Sequence, residues 1–325
     1  MGTTVVGRYV VLGPIGVGGI AIVYRAIDMH KPRRVAIKLL SPLFAGDPRA
    51  RAKVHLEALI TDRLRHPGVP EVFGFGDAEL PDGVLLPYLA MELFTGPMLA
   101  DRLAGGALPW QEAVTVAATV ADVLTMAHRH GVVHRDLTPT NIMLTGSGAK
   151  IIDFGEASTV APLVSGESPL PVREVSIAAL PSDDVYALGM LLFQMLTGRS
   201  PYPWGGAVGS AGEPSAGRPR GMAPTPVLLV PGLPRPVAEI CRGAMAKRAA
   251  DRPDSADLSL ALWHLLAPAG LTRWPWPAAQ PPGPPAPWRT TRPQPGPPAP
   301  WRTTRPQAAA LAGTNDRPDF ECSRI

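Results

Sequence analysis

His134-Arg135-Asp136-Leu137-Thr138-Pro139-Thr140-Asn141 is followed, twelve residues after Asn141, by Asp153-Phe154-Gly155. The reading of the chain turns on these two segments. Asp136 is a carboxylate able to accept a hydroxyl proton or to orient the hydroxyl. Asn141 and Asp153 supply hard oxygen ligands of the kind magnesium prefers. Phosphoryl transfer needs little covalent help from a protein, which must hold the phosphates, neutralise their charge and align the acceptor. The two segments provide the acceptor and metal parts of that set.

Upstream residues provide the phosphate part. Gly16-Val17-Gly18-Gly19-Ile20-Ala21-Ile22-Val23 lies between two strand patterns, where glycines let a hairpin approach phosphates closely. Val35-Ala36-Ile37-Lys38 puts a lysine inside an apolar strand, where an ammonium needs a partner. Glu57, in the following helical stretch, is the candidate. In isolation each feature also reads as an ordinary turn, a snorkelling lysine and a solvated helix charge. Their order along one chain favours a common site.

Together these residues resemble the signature set of a bacterial, eukaryotic-like (Hanks-type) serine/threonine protein kinase over about residues 8–268. The resemblance implies an α+β, two-lobed protein-kinase fold, with a small β-rich lobe at 8–91 carrying one main helix and a larger helical lobe at 92–268. It implies ATP with Mg²⁺ or Mn²⁺ as cofactors and Asp136, Lys38, Glu57, Asn141 and Asp153 as catalytic residues. Asn141 and Asp153 would be the metal ligands. The nucleotide would lie against Ile15, Gly16, Val17, Gly18, Gly19, Val23, Ala36, Lys38, Met91, Glu92, Phe94 and Met143. Met91, in Pro87-Tyr88-Leu89-Ala90-Met91-Glu92, resembles the gatekeeper, and Glu92 and Phe94 would present backbone groups to adenine. Asp184 resembles the residue that anchors the catalytic loop, and Arg252 the late arginine that pairs with a Glu closing the activation segment. Glu174 is the candidate for that Glu.

Departures from the family lie on the acceptor side. Thr138 stands where a lysine usually neutralises the γ-phosphate, which predicts weaker transition-state stabilisation. The segment from Asp153 to Asp184 is short and lacks a Gly-Thr turn and an Ala-Pro-Glu triplet. Arg135 implies control by an activation-loop phosphate, yet Ser158, Thr159, Ser165, Ser168 and Ser176 fall in no recognisable phosphorylation motif. A Gly- and Pro-rich stretch at about 204–226 occupies the place of a substrate-docking helix and reads as a long loop.

Periodicity predicts strands at Tyr9–Pro14, Ala21–Asp28 and Arg34–Leu40, then a helix at Arg49–Arg65. Further helices are predicted at Trp110–His130, Asp183–Leu196, Pro234–Ala246 and Ser255–Leu266, with short strands at 132–133, 142–144 and 149–152. Residues 269–325 form a Pro-rich tail, read as disordered, in which a 13-residue sequence occurs at 282–294 and again at 295–307. The repeat, with Trp288 and Trp301, reads as a solvated spacer or as a ligand for a polyproline-reading partner.

Seven of the 31 basic residues and three of the 27 acidic ones fall in that tail, leaving 24 of each before it. The pI of about 9.3 is therefore a property of the tail, and no general nucleic-acid surface is expected on the body. No stretch reads as a membrane span or a signal peptide, so a soluble cytoplasmic protein without membrane insertion is expected. Cys241 and Cys322 read as reduced thiols, and His66, His128 and His130 as structural rather than zinc ligands. The expected partner is a protein substrate with a Ser or Thr acceptor, the chain itself included, and a homodimer is allowed. Two other readings stay open: a nucleotide-binding pseudokinase scaffold, suggested by Thr138, and a small-molecule kinase, suggested by the missing peptide-binding turn.

Overall fold

Val, Ile and Tyr dominate Tyr9–Val17 (β2), Ala21–Asp28 (β3) and Arg33–Leu40 (β4), and the computed structural model folds them as successive antiparallel neighbours. The structure describes residues 4–80, 83–159, 180–202 and 225–267. All of these belong to one unit of the chain. Thr4–Val5 (β1) pairs with β2 at one edge. Val72–Glu79 (β5) and Leu85–Glu92 (β6) complete a six-stranded sheet in the order β1-β2-β3-β4-β6-β5.

Strand β2 runs three residues further than its pattern predicts. Gly16 pairs with Val23 and Val17 with Ile22, so most of the glycine-rich stretch is strand and the turn is confined to residues 18–20. The Gly18 N–H donates to the Ala21 carbonyl at 2.8 Å and closes it. Strands β5 and β6 escape the pattern because Gly74, Gly76 and Pro87 interrupt them. Gly74 sits beside a register shift, where an added Cβ would lie 2.9 Å from the Tyr9 hydroxyl.

Pro48–Arg63 (α1) crosses β4, β5 and β6. Asp47 caps it by accepting from the Arg49 N–H at 2.9 Å, and Pro48 enters its first turn, where a missing N–H costs nothing. Buried Val54, Ala58 and Ile60 face the protein interior, and Glu57 shares that buried face.

The larger lobe is built on Trp110–Arg129 (α3), buried along most of its length through Ala113, Val114, Ala117, Val120, Ala121 and Leu124. Leu99–Ala104 (α2) precedes it, a short helix the periodicity does not single out. Pro181–Thr197 (α4), Arg235–Ala244 (α5) and Ser255–Leu266 (α6) pack around it into one continuous apolar core. Helix α4 ends at Gly198, whose left-handed φ of +68° supplies the C-cap. Asp254 caps α6 by accepting from the Asp257 N–H at 2.7 Å.

Two short antiparallel pairs complete the lobe: the hairpin of Ile142–Thr145 (β8) with Gly148–Ile151 (β9), and Val132–Val133 (β7) with the later strand Ser158–Thr159 (β10). This is the two-lobed protein-kinase fold the resemblance implies, with the sheet spanning Thr4 to Glu92. The Pro-rich tail with its repeat, residues 203–224 of the Gly- and Pro-rich stretch, Glu174, Ser165, Ser168, Ser176 and Cys322 lie outside the described residues. Among the described residues no helix is long and apolar enough to cross a membrane. Cys241 is buried, its thiol pushed up to about 12 by loss of solvent, and it meets the Gly189 carbonyl at 3.6 Å.

Candidate active site

Strand β4 carries Lys38 towards α1, and the β8–β9 hairpin delivers Asp153 from the other lobe. Lys38 Nζ donates to Glu57 Oε1 at 2.7 Å and to Asp153 Oδ1 at 3.0 Å. Lys38 and Asp153, 115 positions apart in the chain, are thus directly joined. Burial alone would depress Lys38, but the Glu57 and Asp153 carboxylates outweigh it and its pKa is raised. Asp153 is held below its usual value, because Lys38 and the Gly155 N–H, at 2.7 Å, overcome the cost of burial. Glu57 is pushed up to about 7: its burial is complete enough to exceed the pull of Lys38.

Gly155 is confined by the same contacts. A Cβ there would lie 2.9 Å from Asp153 Oδ1 and 3.4 Å from Glu57 Oε2. Phe154 is fully buried and meets the His134 ring at 5.0 Å between centroids. His134 is itself buried, its pKa lowered mainly by loss of solvent. It lies against Phe154 and accepts from the Asp136 N–H through Nδ1 at 3.3 Å.

Asp136 and Asn141 are brought together. Asn141 Nδ2 donates to the Asp136 carbonyl at 2.8 Å and to Asp136 Oδ2 at 2.9 Å. Arg135, between them and His134, adopts a left-handed φ of +70°, a costly conformation for a residue with a side chain. Asp184, buried on α4, holds this turn by accepting from the His134 N–H at 2.7 Å and the Arg135 N–H at 2.9 Å. The anchoring contact expected of Asp184 is therefore present. Thr138 and Thr140 bond to each other through their hydroxyls at 2.8 Å.

The residues expected to face a nucleotide also cluster. Val23, Ala36 and Met91 belong to one cluster with Leu89, and Ala36 lies opposite Met91 in the β4–β6 ladder. Ile15 and Val17 are exposed on β2, with Gly16, Gly18 and Gly19 beside them. The Glu92 N–H is already committed to the Glu71 carbonyl at 2.8 Å. Phe94 lies under the Lys150 ammonium at 5.0 Å, and Met143 bridges to Met98. Gly96 fixes how the connection between lobes meets the larger one: with φ of +148°, any Cβ would fall 1.9 Å from the Leu144 carbonyl oxygen.

Arg252 shows a partner that motif reading did not name. Its guanidinium donates to the Ala246 and Ser182 carbonyls, both at 2.8 Å, and lies 3.5 Å from Asp183 on α4 and 4.7 Å from the Tyr186 ring. Glu174, its expected partner, is outside the described residues.

Two further connections had no role assigned from sequence. His128 Nε2 lies 2.9 Å from Asp184 Oδ2, and its Nδ1 lies 2.9 Å from the Ser255 hydroxyl at the start of α6. The available signal was a histidine near the end of a largely buried helix, where a polar group must find partners. Lys53 on α1 pairs with Glu156, which follows Gly155.

Protein kinase domain sequences match residues 9–209. The serine/threonine-protein kinase PknA of Mycobacterium tuberculosis (strain ATCC 25618 / H37Rv) is 33% identical over 263 residues, covering 78% of this chain and 59% of PknA. PknB of Mycobacterium leprae (strain TN) is 34% identical over 209 residues, covering 60% of this chain and 33% of PknB. The chain thus spans well under two thirds of the length of these curated relatives. The crystal structure of the Mycobacterium tuberculosis PknI kinase domain is 28% identical, with a TM-score of 0.58 over 81% of this chain and 97% of that one. Since the matched segment takes up more than half of the sequence and the relatives are bacterial serine/threonine kinases, the chain belongs to the protein kinase domain family.

Proposed function

We propose that this chain is an ATP-dependent protein kinase that transfers the γ-phosphoryl group to Ser or Thr hydroxyls of a protein substrate, itself included. The observation that carries this reading is the Lys38 ammonium held between Glu57 and Asp153 at 2.7 and 3.0 Å. That arrangement aims a fixed positive charge at the place where a triphosphate would lie under the β2–β3 hairpin. A Cβ at Gly16 or Gly19 would make no contact closer than 3.9 Å within the protein, so packing does not require glycine there, and the room suits phosphates. Val23, Ala36, Met91 and Met143 would enclose the adenine, with backbone groups of Glu92 and Phe94 at its edge.

Asn141 and Asp153 would hold Mg²⁺ or Mn²⁺: both offer hard oxygen atoms, and the Asn141 nitrogen is already committed to Asp136. When bound, the metal would neutralise charge on the phosphates. Asp136, oriented by Asn141, accepts the proton of the incoming hydroxyl. Thr138 donates a hydrogen bond where a lysine would add charge, so turnover is slow for the family. In the same reading the protein acts in cytoplasmic signalling, as a homodimer where it modifies itself, with the tail repeat open to a polyproline-reading partner.

A nucleotide-binding scaffold without turnover is the second reading, motivated by Thr138. Convergence of Lys38, Glu57, Asp136, Asn141 and Asp153 weighs against it, because a scaffold needs no oriented base. Incubating the purified chain with labelled ATP, magnesium and a generic basic protein, beside Asp136→Asn, decides between them. Asp136-dependent labelling supports transfer, while ATP binding without any such labelling leaves only the scaffold.

A further inference from the structure

Helix α1 reaches the magnesium loop twice. Glu57 does so through Lys38 to Asp153, inside the protein. One helical turn earlier on the same face, Lys53 reaches Glu156 directly, at the surface. Asp153 and Glu156 are three residues apart in a turn closed by the Gly155 N–H on Asp153 Oδ1, so the two bridges run side by side between the same helix and the same loop. The inner bridge is only as good as the placement of α1, since Glu57 must lie within hydrogen-bond reach of Lys38. The outer bridge acts on that placement and requires no added phosphate, because both of its charges are encoded in the chain.

We propose that Lys53 and Glu156 are positioning residues: a surface clasp that holds helix α1 against the magnesium loop and thereby keeps Glu57 on Lys38. The proposal rests on the nucleotide-binding reading of the site. The exposed ends of the pair, 38% and 56% accessible, set its scale. An ion pair so open to solvent contributes about two- to fivefold in an equilibrium, and salt screens it.

The test is a double-mutant cycle on the full chain with Lys53→Met, which keeps the apolar stem, and Glu156→Gln, which keeps the shape. The readouts are the dissociation constant for a fluorescent ATP analogue with magnesium and, in parallel, KM and kcat. Each single variant should weaken nucleotide binding about two- to fivefold, with the double variant no worse than the weaker single. The wild-type chain should lose binding between low and high salt by a factor that both singles lack. The exchanged pair, Lys53→Glu with Glu156→Lys, should recover most of the affinity. Additive effects of the two substitutions, or singles that bind as wild type does, would overturn the clasp. Because binding is read without turnover, a chain that labels no substrate defeats the transfer reading, while the binding cycle still decides the role of Lys53 and Glu156.

Discussion

The His128 imidazole stands 2.9 Å from the Asp184 carboxylate, and that contact joins the central helix α3 to the anchor of the catalytic loop. A carboxylate only accepts, so Nε2–H of His128 donates, and Nδ1 faces the Ser255 hydroxyl on α6. Asp184 in turn takes both backbone N–H groups of His134 and Arg135. Three elements therefore meet at one buried carboxylate, and α6 joins them through His128. The left-handed backbone of Arg135 is held in place by this junction.

Removing either side of the junction should damage the loop before it damages nucleotide binding. Asp184→Ala leaves the buried His134 N–H and the part-buried Arg135 N–H without an acceptor and should cost about 2–5 kcal/mol in stability. His128→Ala removes one hydrogen bond and should cost about 1–3 kcal/mol. Denaturant titration measures both losses. The kcat of His128→Ala should fall more than its affinity for ATP, and equal losses in the two would place its role elsewhere.

Glu57 predicts opposite pH trends for stability and for binding. Its folded-state value of about 7 lies above the usual carboxylate range, so its protonated form favours the fold. That contribution is complete at pH below the ordinary value and declines as pH rises through about 7. Binding runs the other way, because a neutral Glu57 is a weaker partner for Lys38. KM for ATP should rise as pH falls through about 7, and Glu57→Gln should be impaired and lose that dependence. A wild-type KM that is flat between pH 8 and pH 6 would contradict the assignment of Glu57.

Thr138→Lys should accelerate transfer. A lysine there brings a full charge to the γ-phosphate, and a gain of about tenfold in kcat is expected, with KM for ATP changed less. Steady-state kinetics on a peptide or on the chain itself measure it. An unchanged rate would mean that another cation already serves this role.

Gly96→Ala tests the connection between lobes. With φ of +148° and a carbonyl oxygen 1.9 Å from the new Cβ, the backbone must move, and a loss of at least about 2 kcal/mol is expected. Gly19→Ala, whose Cβ meets nothing within 4 Å, should leave stability nearly unchanged while weakening ATP binding. Thermal unfolding with and without nucleotide separates the two effects.

Much of this architecture was legible in one sequence. Ser255–Leu266 and Ala21–Asp28 are helix and strand with the bounds their periodicity predicts. The proximity of Asp136 and Asn141 was legible because motif spacing is local: the two are five residues apart in one loop, close enough for a direct bond. Strands β5 and β6 were not singled out, since Gly74, Gly76 and Pro87 erase the alternation that packing between neighbouring strands restores.

What the sequence determined by itself is the set of candidate groups and their order: glycine hairpin, strand lysine, helix glutamate, and the Asp136, Asn141 and Asp153 side chains. Tertiary structure alone decided which partners those groups take. Lys38 meets Asp153, Lys53 meets Glu156, His128 meets Asp184, and Arg252 has Asp183 as its described carboxylate. These pairs span 56 to 115 positions, and no local periodicity encodes them. Burying the apolar faces of the two lobes brings these groups together; the buried ones, such as Lys38 and Asp184, must then be paired or hydrogen-bonded, while Lys53 and Glu156 meet at the surface.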